Sequence, residues 1–254
     1  MSFASIFGAY WRDSRRPRAG ITALHDVGTT VLELEGILDS YSQLIDFVKL
    51  GVGTAAVDPS LPRRLELFKA YGVPVYFGGT LFERSYASGT LKQFFQVLVR
   101  HQIEIVEVST GSIDIPLAER ARIIAHCAGD FRVFAEVGSK DLQRVMPPSS
   151  WITEIAAVME AGAEYCVLEG RDSATAGIYR PSGEIREGLI AEIVASISLH
   201  DLIFEAPSSA TQMYLIDALG PAVNLGNVNP RDALLLEAQR AGLRFETFPT
   251  LQDN

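Results

Sequence analysis

The feature that most constrains the fold is a regular alternation along the whole chain. Short apolar runs rich in β-branched residues recur about every 30 residues, and each is followed by a polar or glycine-rich turn and by a segment with helical periodicity. The runs predicted as strands are Ile21–His25, Asp46–Leu50, Val73–Phe77, Glu104–Ser109, Arg132–Val137, Tyr165–Glu169, Leu202–Ala206 and Ala222–Leu225. The segments predicted as helices are Val31–Leu44, Leu61–Tyr71, Leu91–His101, Leu117–Ala128, Trp151–Ala161, Ile185–His200, Thr211–Leu219 and Pro230–Ala241.

Eight strand and helix units in a chain of 254 residues predict a single closed (β/α)8 TIM barrel, an α/β fold. An open, doubly wound sheet is the alternative, because the order of strands cannot be read from a sequence. No predicted strand, however, is followed by the G-x-G-x-x-G turn that such sheets use to bind dinucleotides. We therefore expect residues 21–254 to form the barrel and residues 1–20 to form an N-terminal arm.

The charge and the apolar runs exclude two classes of partner. Acidic residues number 31 against 22 basic ones, and the formal charge of −9 repels nucleic acid. No run approaches the roughly 18 apolar residues of a membrane helix, and the first 20 residues lack an apolar signal core. We expect a cytoplasmic protein that binds neither nucleic acid nor membrane. The basic residues near the start indicate an exposed arm or a subunit contact, and we expect a homo-oligomer; they are Arg12, Arg15, Arg16 and Arg18.

Charged residues interrupt five of the predicted strands near their C-terminal ends. They are Lys49, Glu107, Glu136, Glu169 and Glu205. Both faces of a parallel barrel strand are buried, so a charge within a strand needs a partner, a metal ion or a catalytic role. Barrel enzymes place their active sites at this end of the strands, where we expect the five side chains to meet. A salt bridge from each of them to a neighbouring helix is the alternative.

The four glutamates predict a bound cation. Uncompensated carboxylates in a dry cavity each cost several kcal/mol or become protonated. Mg²⁺ suits such a site because it takes oxygen ligands and combines one or two carboxylates with oxygens of the substrate. Only four histidines are present, and most fall at helix ends or before strands, so a His-rich zinc or iron centre is not expected. No Ser-His-Asp or G-x-S-x-G arrangement supports acyl transfer.

Glycine turns and mobile cations at the same end predict a site for an anion. The turns are Gly51-Val52-Gly53-Thr54, Gly78-Gly79-Thr80 and Gly226-Asn227, which offer backbone N–H groups. Lys140 and Arg171 follow the fifth and sixth strands and supply positive charge. His25 or Asp26, Asn224 and Asn227 are candidates to join this rim from the first and last strands. Ordinary turns and solvated loops are the alternatives.

The strand-end segments can be compared as a set. They are Asp46-Phe47-Val48-Lys49-Leu50-Gly51-Val52-Gly53-Thr54, Gly78-Gly79-Thr80-Leu81-Phe82-Glu83, Glu136-Val137-Gly138-Ser139-Lys140-Asp141, Glu169-Gly170-Arg171-Asp172-Ser173, Phe204-Glu205-Ala206-Pro207 and Asn224-Leu225-Gly226-Asn227. In this order they resemble the phosphosulfolactate synthase family, from about Gly20 to Phe248. The resemblance implies a (β/α)8 barrel and a Mg²⁺-dependent addition of sulfite to phosphoenolpyruvate. The product is 2-phospho-3-sulfolactate, made in the first step of one route to coenzyme M.

The resemblance gives each group at the rim a role. The metal ligands are expected among Glu107, Glu136, Glu169 and Glu205. Lys140 is the first choice for proton donor, with Lys49 as the alternative or as a ligand of phosphate or sulfite. Arg171 is expected to clamp phosphate or sulfonate. The other expected substrate-binding residues are Gly79, Thr80, Asn224, Gly226 and Asn227.

Two further functions remain as alternatives. Val27 and Thr110 stand where a more polar or charged residue is frequent in the family, which favours a related barrel enzyme with another enol phosphate or nucleophile. A non-catalytic protein, like some plant relatives associated with heat stress, is the other alternative. Such a protein is expected to have lost the rim charges, which are all present in this chain.

Overall fold

The eight-stranded barrel predicted from the sequence is confirmed in a computed structural model of the chain, which describes residues 19–141, 146–171 and 173–248. Within those residues eight parallel strands pair in sequence order, and the last pairs with the first to close the barrel. The strands are β1 Thr22–Asp26, β2 Phe47–Leu50, β3 Val75–Phe77, β4 Ile105–Val108, β5 Arg132–Val137, β6 Tyr165–Leu168, β7 Leu202–Glu205 and β8 Leu225–Val228.

The helices surround this barrel. In the described ranges they are α1 Val31–Tyr41, α2 Leu61–Ala70, α3 Gly79–Ala87, α4 Leu91–Arg100, α5 Leu117–Cys127, α6 Pro148–Glu160, α7 Glu187–Ser196, α8 Ser209–Leu219 and α9 Ala233–Arg240. None of the helices in these ranges combines the length and the apolar character needed to cross a bilayer. The four arginines and nearly all of the expected N-terminal arm lie outside the described residues.

Two differences from the predicted elements affect the mouth of the barrel. The eighth strand begins three residues later than expected, because the chain first turns, with the Val223 N–H donating to Gly220 O. Helix α3 was missed, since Gly78-Gly79-Thr80 reads as a turn. Gly78 instead has the extended backbone of an N-cap, and Gly79 starts the helix against Ser109, where an added Cβ would lie 2.3 Å from the serine Cβ.

The lower half of the barrel interior, toward the N-terminal ends of the strands, is filled by four aromatic rings. This aromatic layer consists of Phe47, Tyr76, Phe134 and Tyr165, all buried. Phe134 lies at its centre, with ring centroids 5.1 Å from Phe47 and 5.3 Å from both tyrosines in edge-to-face geometry. The Arg132 guanidinium lies 5.1 Å from the Phe47 ring centroid and pairs with Glu164. The layer gives the C-terminal half of the barrel a rigid floor.

Candidate active site

The charged residues of the strands meet at the C-terminal mouth of the barrel, where they form a charged layer. It consists of Lys49, Glu107, Glu136, Lys140, Glu169 and Glu205, and all of them line one cavity of about 40 Å³. The four glutamates are almost completely buried. Residues two apart on a strand lie on the same face of the sheet. Lys49 therefore points into the barrel like Phe47 on β2, and Glu136 points inward like Phe134 on β5. The alternative of salt bridges to the surrounding helices is wrong for these residues.

One half of the charged layer is centred on Lys49. Its Nζ lies 2.9 Å from Glu205 Oε1 and 3.3 Å from Glu107 Oε1. The second oxygens accept backbone hydrogen bonds, Glu107 Oε2 from Gly79 N at 2.5 Å and Glu205 Oε2 from Gly170 N at 2.8 Å. Burial opposes the charge on Lys49, but the two carboxylates outweigh it and raise the pKa of the lysine well above its usual value. Burial raises the pKa of Glu107 to about 7, although Lys49 opposes that shift.

The other half is centred on Lys140, in the loop after β5. Its Nζ lies 3.4 Å from Glu136 Oε1 and 3.3 Å from Glu169 Oε2. Glu136 raises the pKa of Lys140. Burial alone would raise the pKa of Glu136, but Lys140, Lys49 and the hydrogen bonds to Glu169 and Ser109 together outweigh it and hold that pKa below its usual range. Burial and the neighbouring Glu136, to which it is hydrogen-bonded, raise the pKa of Glu169 well above its usual value.

Glu83 belongs to the same network, and sequence reasoning assigned it no role. The Ser109 hydroxyl lies 2.5 Å from Glu83 Oε1 and 2.7 Å from Glu136 Oε1, and Glu83 is buried. Glu83 reaches this position because it lies on helix α3, one turn after Gly79. The missed helix is therefore the reason that Glu83 was missed. The only signal available was its place at the end of the Gly78-to-Glu83 segment.

The last strand places its polar residues at opposite ends of the barrel. Asn227 lines the cavity and is 6% exposed, and its Oδ1 has no hydrogen-bond partner. A bulge sets one residue of β1 against two of β8, and the second of these, Asn227, has a φ of 54°. The expectation that Asn224 joins this rim is wrong. Its Oδ1 accepts from Ile21 N and its Nδ2 donates to Leu202 O, at the N-terminal ends of β1 and β7.

The remaining candidates divide between the cavity and its surroundings. Gly79 and Thr80 line the cavity at the start of α3. Gly226 is a residue of β8 rather than of a turn, and a Cβ there would meet Ile203 on the neighbouring strand. Arg171 is exposed and is absent from the described lining of the cavity, although its backbone N–H donates to Glu169 Oε1 at 2.6 Å.

The two candidates on β1 also separate. Asp26 is buried in an ion pair with Arg64 and accepts hydrogen bonds from two backbone N–H groups of its own loop. His25, in contrast, lines the cavity. Asp26 therefore holds the loop after β1, and His25 is the β1 residue that reaches the site.

The four glutamates form two pairs, each held by one lysine, rather than one cage of carboxylates. Among the described residues, no three His, Cys, Asp or Glu side chains are arranged to hold a metal ion. The oxygen atoms nevertheless suit a hard cation that needs only one or two carboxylates. Glu169 Oε2 is buried and, apart from its 3.3 Å ion pair with Lys140, has no hydrogen-bond partner. With Glu136 beside it, this atom marks the part of the charged layer that is best able to take Mg²⁺.

Comparison with known proteins gives one family. Residues 12–246 match the family model described as (2R)-phospho-3-sulfolactate synthase (ComA). Phosphosulfolactate synthase from Bacillus subtilis is 36% identical over 239 residues, 92% of this chain and 95% of that protein. The Methanocaldococcus jannaschii enzyme of the same name is 34% identical, over 90% of this chain and 94% of that protein. The Methanothermobacter thermautotrophicus enzyme is 32% identical, over 92% and 93%.

Solved structures share the fold at low sequence identity. 3-Hexulose-6-phosphate synthase from Salmonella typhimurium aligns with a TM-score of 0.52 and 16% identity, over 87% of this chain and 92% of that one. A 2,3-dimethylmalate lyase of the PEP mutase/isocitrate lyase superfamily aligns with a TM-score of 0.52 and 15% identity, over 94% and 87%. These likenesses show the barrel architecture alone.

Proposed function

The chain belongs to the phosphosulfolactate synthase family, and we propose that it adds sulfite to phosphoenolpyruvate, with Mg²⁺ as cofactor, to give 2-phospho-3-sulfolactate. Membership makes it an enzyme that forms a carbon–sulfur bond, a reaction of the lyase class. The observation that carries the proposal is the charged layer, in which each of two lysines is held between two buried glutamates at the mouth of the barrel. Such a site combines proton donors with acidic groups for a cation.

The reaction needs one nucleophilic addition and one protonation. The sulfur lone pair of sulfite forms a bond to C3 of phosphoenolpyruvate, and the electrons of the C2–C3 double bond move through C2 into the carboxylate. C2 then takes a proton, and the phosphate ester stays intact. The enzyme must therefore stabilise negative charge on the carboxylate and deliver a proton to one face of C2.

Lys140 is the proposed proton donor. It lies on a loop, its side chain is 26% exposed, and Glu136 and Glu169 fix its ammonium group at the edge of the cavity. Lys49 is less suited, because its side chain is only 8% exposed and Glu107 and Glu205 hold it inside the barrel. We assign Lys49 to the binding of an anionic group of the substrate.

The donor set fits Mg²⁺ through Glu136 and Glu169, because Glu169 Oε2 accepts no hydrogen bond and its ion-pair partner Lys140 lies on a loop at the edge of the cavity. Glu107 and Glu205 contribute less to a metal site, because their lysine, Lys49, is only 8% exposed and lies deeper in the barrel than Lys140, which is 26% exposed. When bound, Mg²⁺ would supply positive charge for the substrate carboxylate as it becomes electron-rich. Lys140, beside the same pair, would then hold the proton for C2.

The test is phosphorus NMR of the purified protein with Mg²⁺, phosphoenolpyruvate and sulfite. The phosphoenolpyruvate signal should decay and a new phosphate ester signal should grow, without release of inorganic phosphate. Omission of sulfite, and separately a chelator, should each stop the decay. Persistence of the signal with every component present would contradict the proposal.

Another nucleophile or enol phosphate is the second candidate, and Thr110 bears on it. The Thr110 hydroxyl accepts a hydrogen bond of 2.9 Å from Arg120, which also pairs with Glu154 on α6. Thr110 therefore belongs to the wall between helices and does not line the cavity in the described structure, which supports the sulfite reaction. Decay of phosphoenolpyruvate with another nucleophile but not with sulfite would favour the second candidate. Absence of both reaction and binding would favour the non-catalytic alternative.

A further inference from the structure

We infer that His25 binds an oxyanion of the substrate, and that Gly51 is glycine because the imidazole of His25 occupies the space of its side chain. The oxyanion is sulfite itself or the phosphate of the enol phosphate, which share negatively charged oxygens on a central atom. This inference rests on the proposed function for the identity of the ligand.

His25 stands on the side of the cavity formed by β8, β1 and β2. It pairs in register with Lys49 on the neighbouring strand, and both line the cavity. Asn227 lines the cavity from β8, which pairs with β1 on its other edge. An imidazole, an ammonium and a carboxamide thus converge on one side of the mouth, whereas Glu136, Lys140 and Glu169 come from β5, β6 and the loop after β5.

Gly51 is required by the position of the imidazole. A Cβ on residue 51 would lie 1.7 Å from His25 Nε2 and 2.3 Å from Cδ2, distances at which atoms overlap. Backbone conformation does not explain the glycine, since Gly51 is not among the glycines with positive φ. The sequence indicates the Gly51-to-Thr54 segment as an anion-binding turn. Its first residue is a glycine because the imidazole of His25 needs that space.

The charges of the cavity indicate why a nitrogen group besides the two lysines would help to bind an anion. Among the described residues that line it, four carboxyl groups face two lysines, and each lysine already contacts two of those carboxyl groups. A multiply charged anionic substrate needs further hydrogen-bond donors to enter. The imidazole supplies a donor, and the carboxamide of Asn227 carries a second donor in its nitrogen, beside the unpartnered acceptor Oδ1. A hydrogen bond to a charged oxygen changes affinity by about tenfold to a hundredfold.

The first experiment measures both substrates with His25→Ala. We expect KM to rise about tenfold or more for one substrate, with kcat within about threefold of the wild-type value. A rise for sulfite identifies the oxyanion as sulfite, and a rise for phosphoenolpyruvate identifies it as the phosphate. Unchanged KM values for both substrates, or a fall in kcat alone, would overturn the inference.

The second experiment is a double-mutant cycle. Gly51→Ala should displace the imidazole and raise the same KM, whereas adding Gly51→Ala to His25→Ala should change KM and thermal stability little, because the overlap is gone. Gly36→Ala is the matched control, since nothing lies within 4 Å of its added Cβ on helix α1, and it should leave KM unchanged. If Gly51→Ala changed KM and thermal stability equally in the wild-type protein and in His25→Ala, the imidazole would not occupy the space beside Gly51, and the inference would be contradicted.

Calorimetric titration separates this inference from the proposed function, because binding needs no turnover. Inorganic phosphate and sulfite are the probes, titrated into the wild-type protein and into His25→Ala. If the wild-type protein binds a probe about tenfold more tightly than the variant but makes no product, the proposed function fails and the inference about His25 is supported. If the wild-type protein makes product and both proteins bind the probes equally, the inference about His25 fails and the proposed function is supported.

Discussion

The two halves of the barrel interior differ in what they contribute. The aromatic layer around Phe134 is closely packed and contains no carboxylate or lysine. The charged layer above it holds four buried carboxylates and two lysines around a cavity of about 40 Å³. Burying charge is costly even when it is paired, whereas burying rings stabilises the fold. The aromatic half therefore stabilises a barrel whose other half is kept polar for chemistry.

The largest effect is expected from Lys140→Ala in the charged layer. Loss of a general acid should lower kcat by about 10²- to 10⁴-fold. Steady-state kinetics with both substrates saturating measures the change. Lys92→Ala, on the exposed face of α4, is the matched control and should leave kcat unchanged. A near-normal kcat for Lys140→Ala would remove the lysine from the proton-transfer step.

Lys49→Met tests whether the charged layer is also held together by its ion pairs. The change leaves Glu107 and Glu205 buried without their cation, which should lower the free energy of unfolding by about 3–5 kcal/mol. Urea denaturation measures it. Adding Glu107→Gln and Glu205→Gln should restore much of the loss. A stability equal to wild type for Lys49→Met alone would mean that the pairs contribute nothing.

Phe134→Ala makes the corresponding change in the aromatic layer. Removing the central ring should lower the free energy of unfolding by about 3–5 kcal/mol, because it leaves a cavity among three other rings. The protein that remains folded should keep its KM values. Urea denaturation and kinetics at low temperature measure the two quantities. Lost substrate affinity with unchanged stability would contradict the division between the layers.

The smallest effect is expected at the outer edge of the aromatic layer. Glu164→Gln removes the partner of Arg132, but the two side chains are 26% and 37% exposed. Such pairs contribute at most about 1 kcal/mol, and the contribution falls with salt. We expect a loss of stability within that limit in dilute buffer and none in molar salt. A loss of several kcal/mol would show that Arg132 needs its partner to support the rings.

The barrel and the charged layer could be predicted from the sequence. The barrel follows from the alternation of strands with helices, and the charged layer follows from the alternation of inward and outward side chains along each strand. A charged side chain near the C-terminal end of an apolar strand, as at Glu107 or Glu205, avoids the apolar core by lying at the mouth of the barrel. Strand β8 begins three residues later than its apolar run indicates, because the chain first turns at Gly220, so Asn224 was assigned to the wrong end. The pairing of each lysine with two glutamates depends on distances across the barrel, which sequence spacing does not encode.

The central claim is tested most directly by carbon NMR of the reaction of C3-labelled phosphoenolpyruvate with sulfite in heavy water. Our account predicts that the labelled carbon becomes a methylene group bonded to sulfur, with a single deuterium on C2 and the phosphate retained. Labelled pyruvate, formed with loss of phosphate, would contradict it.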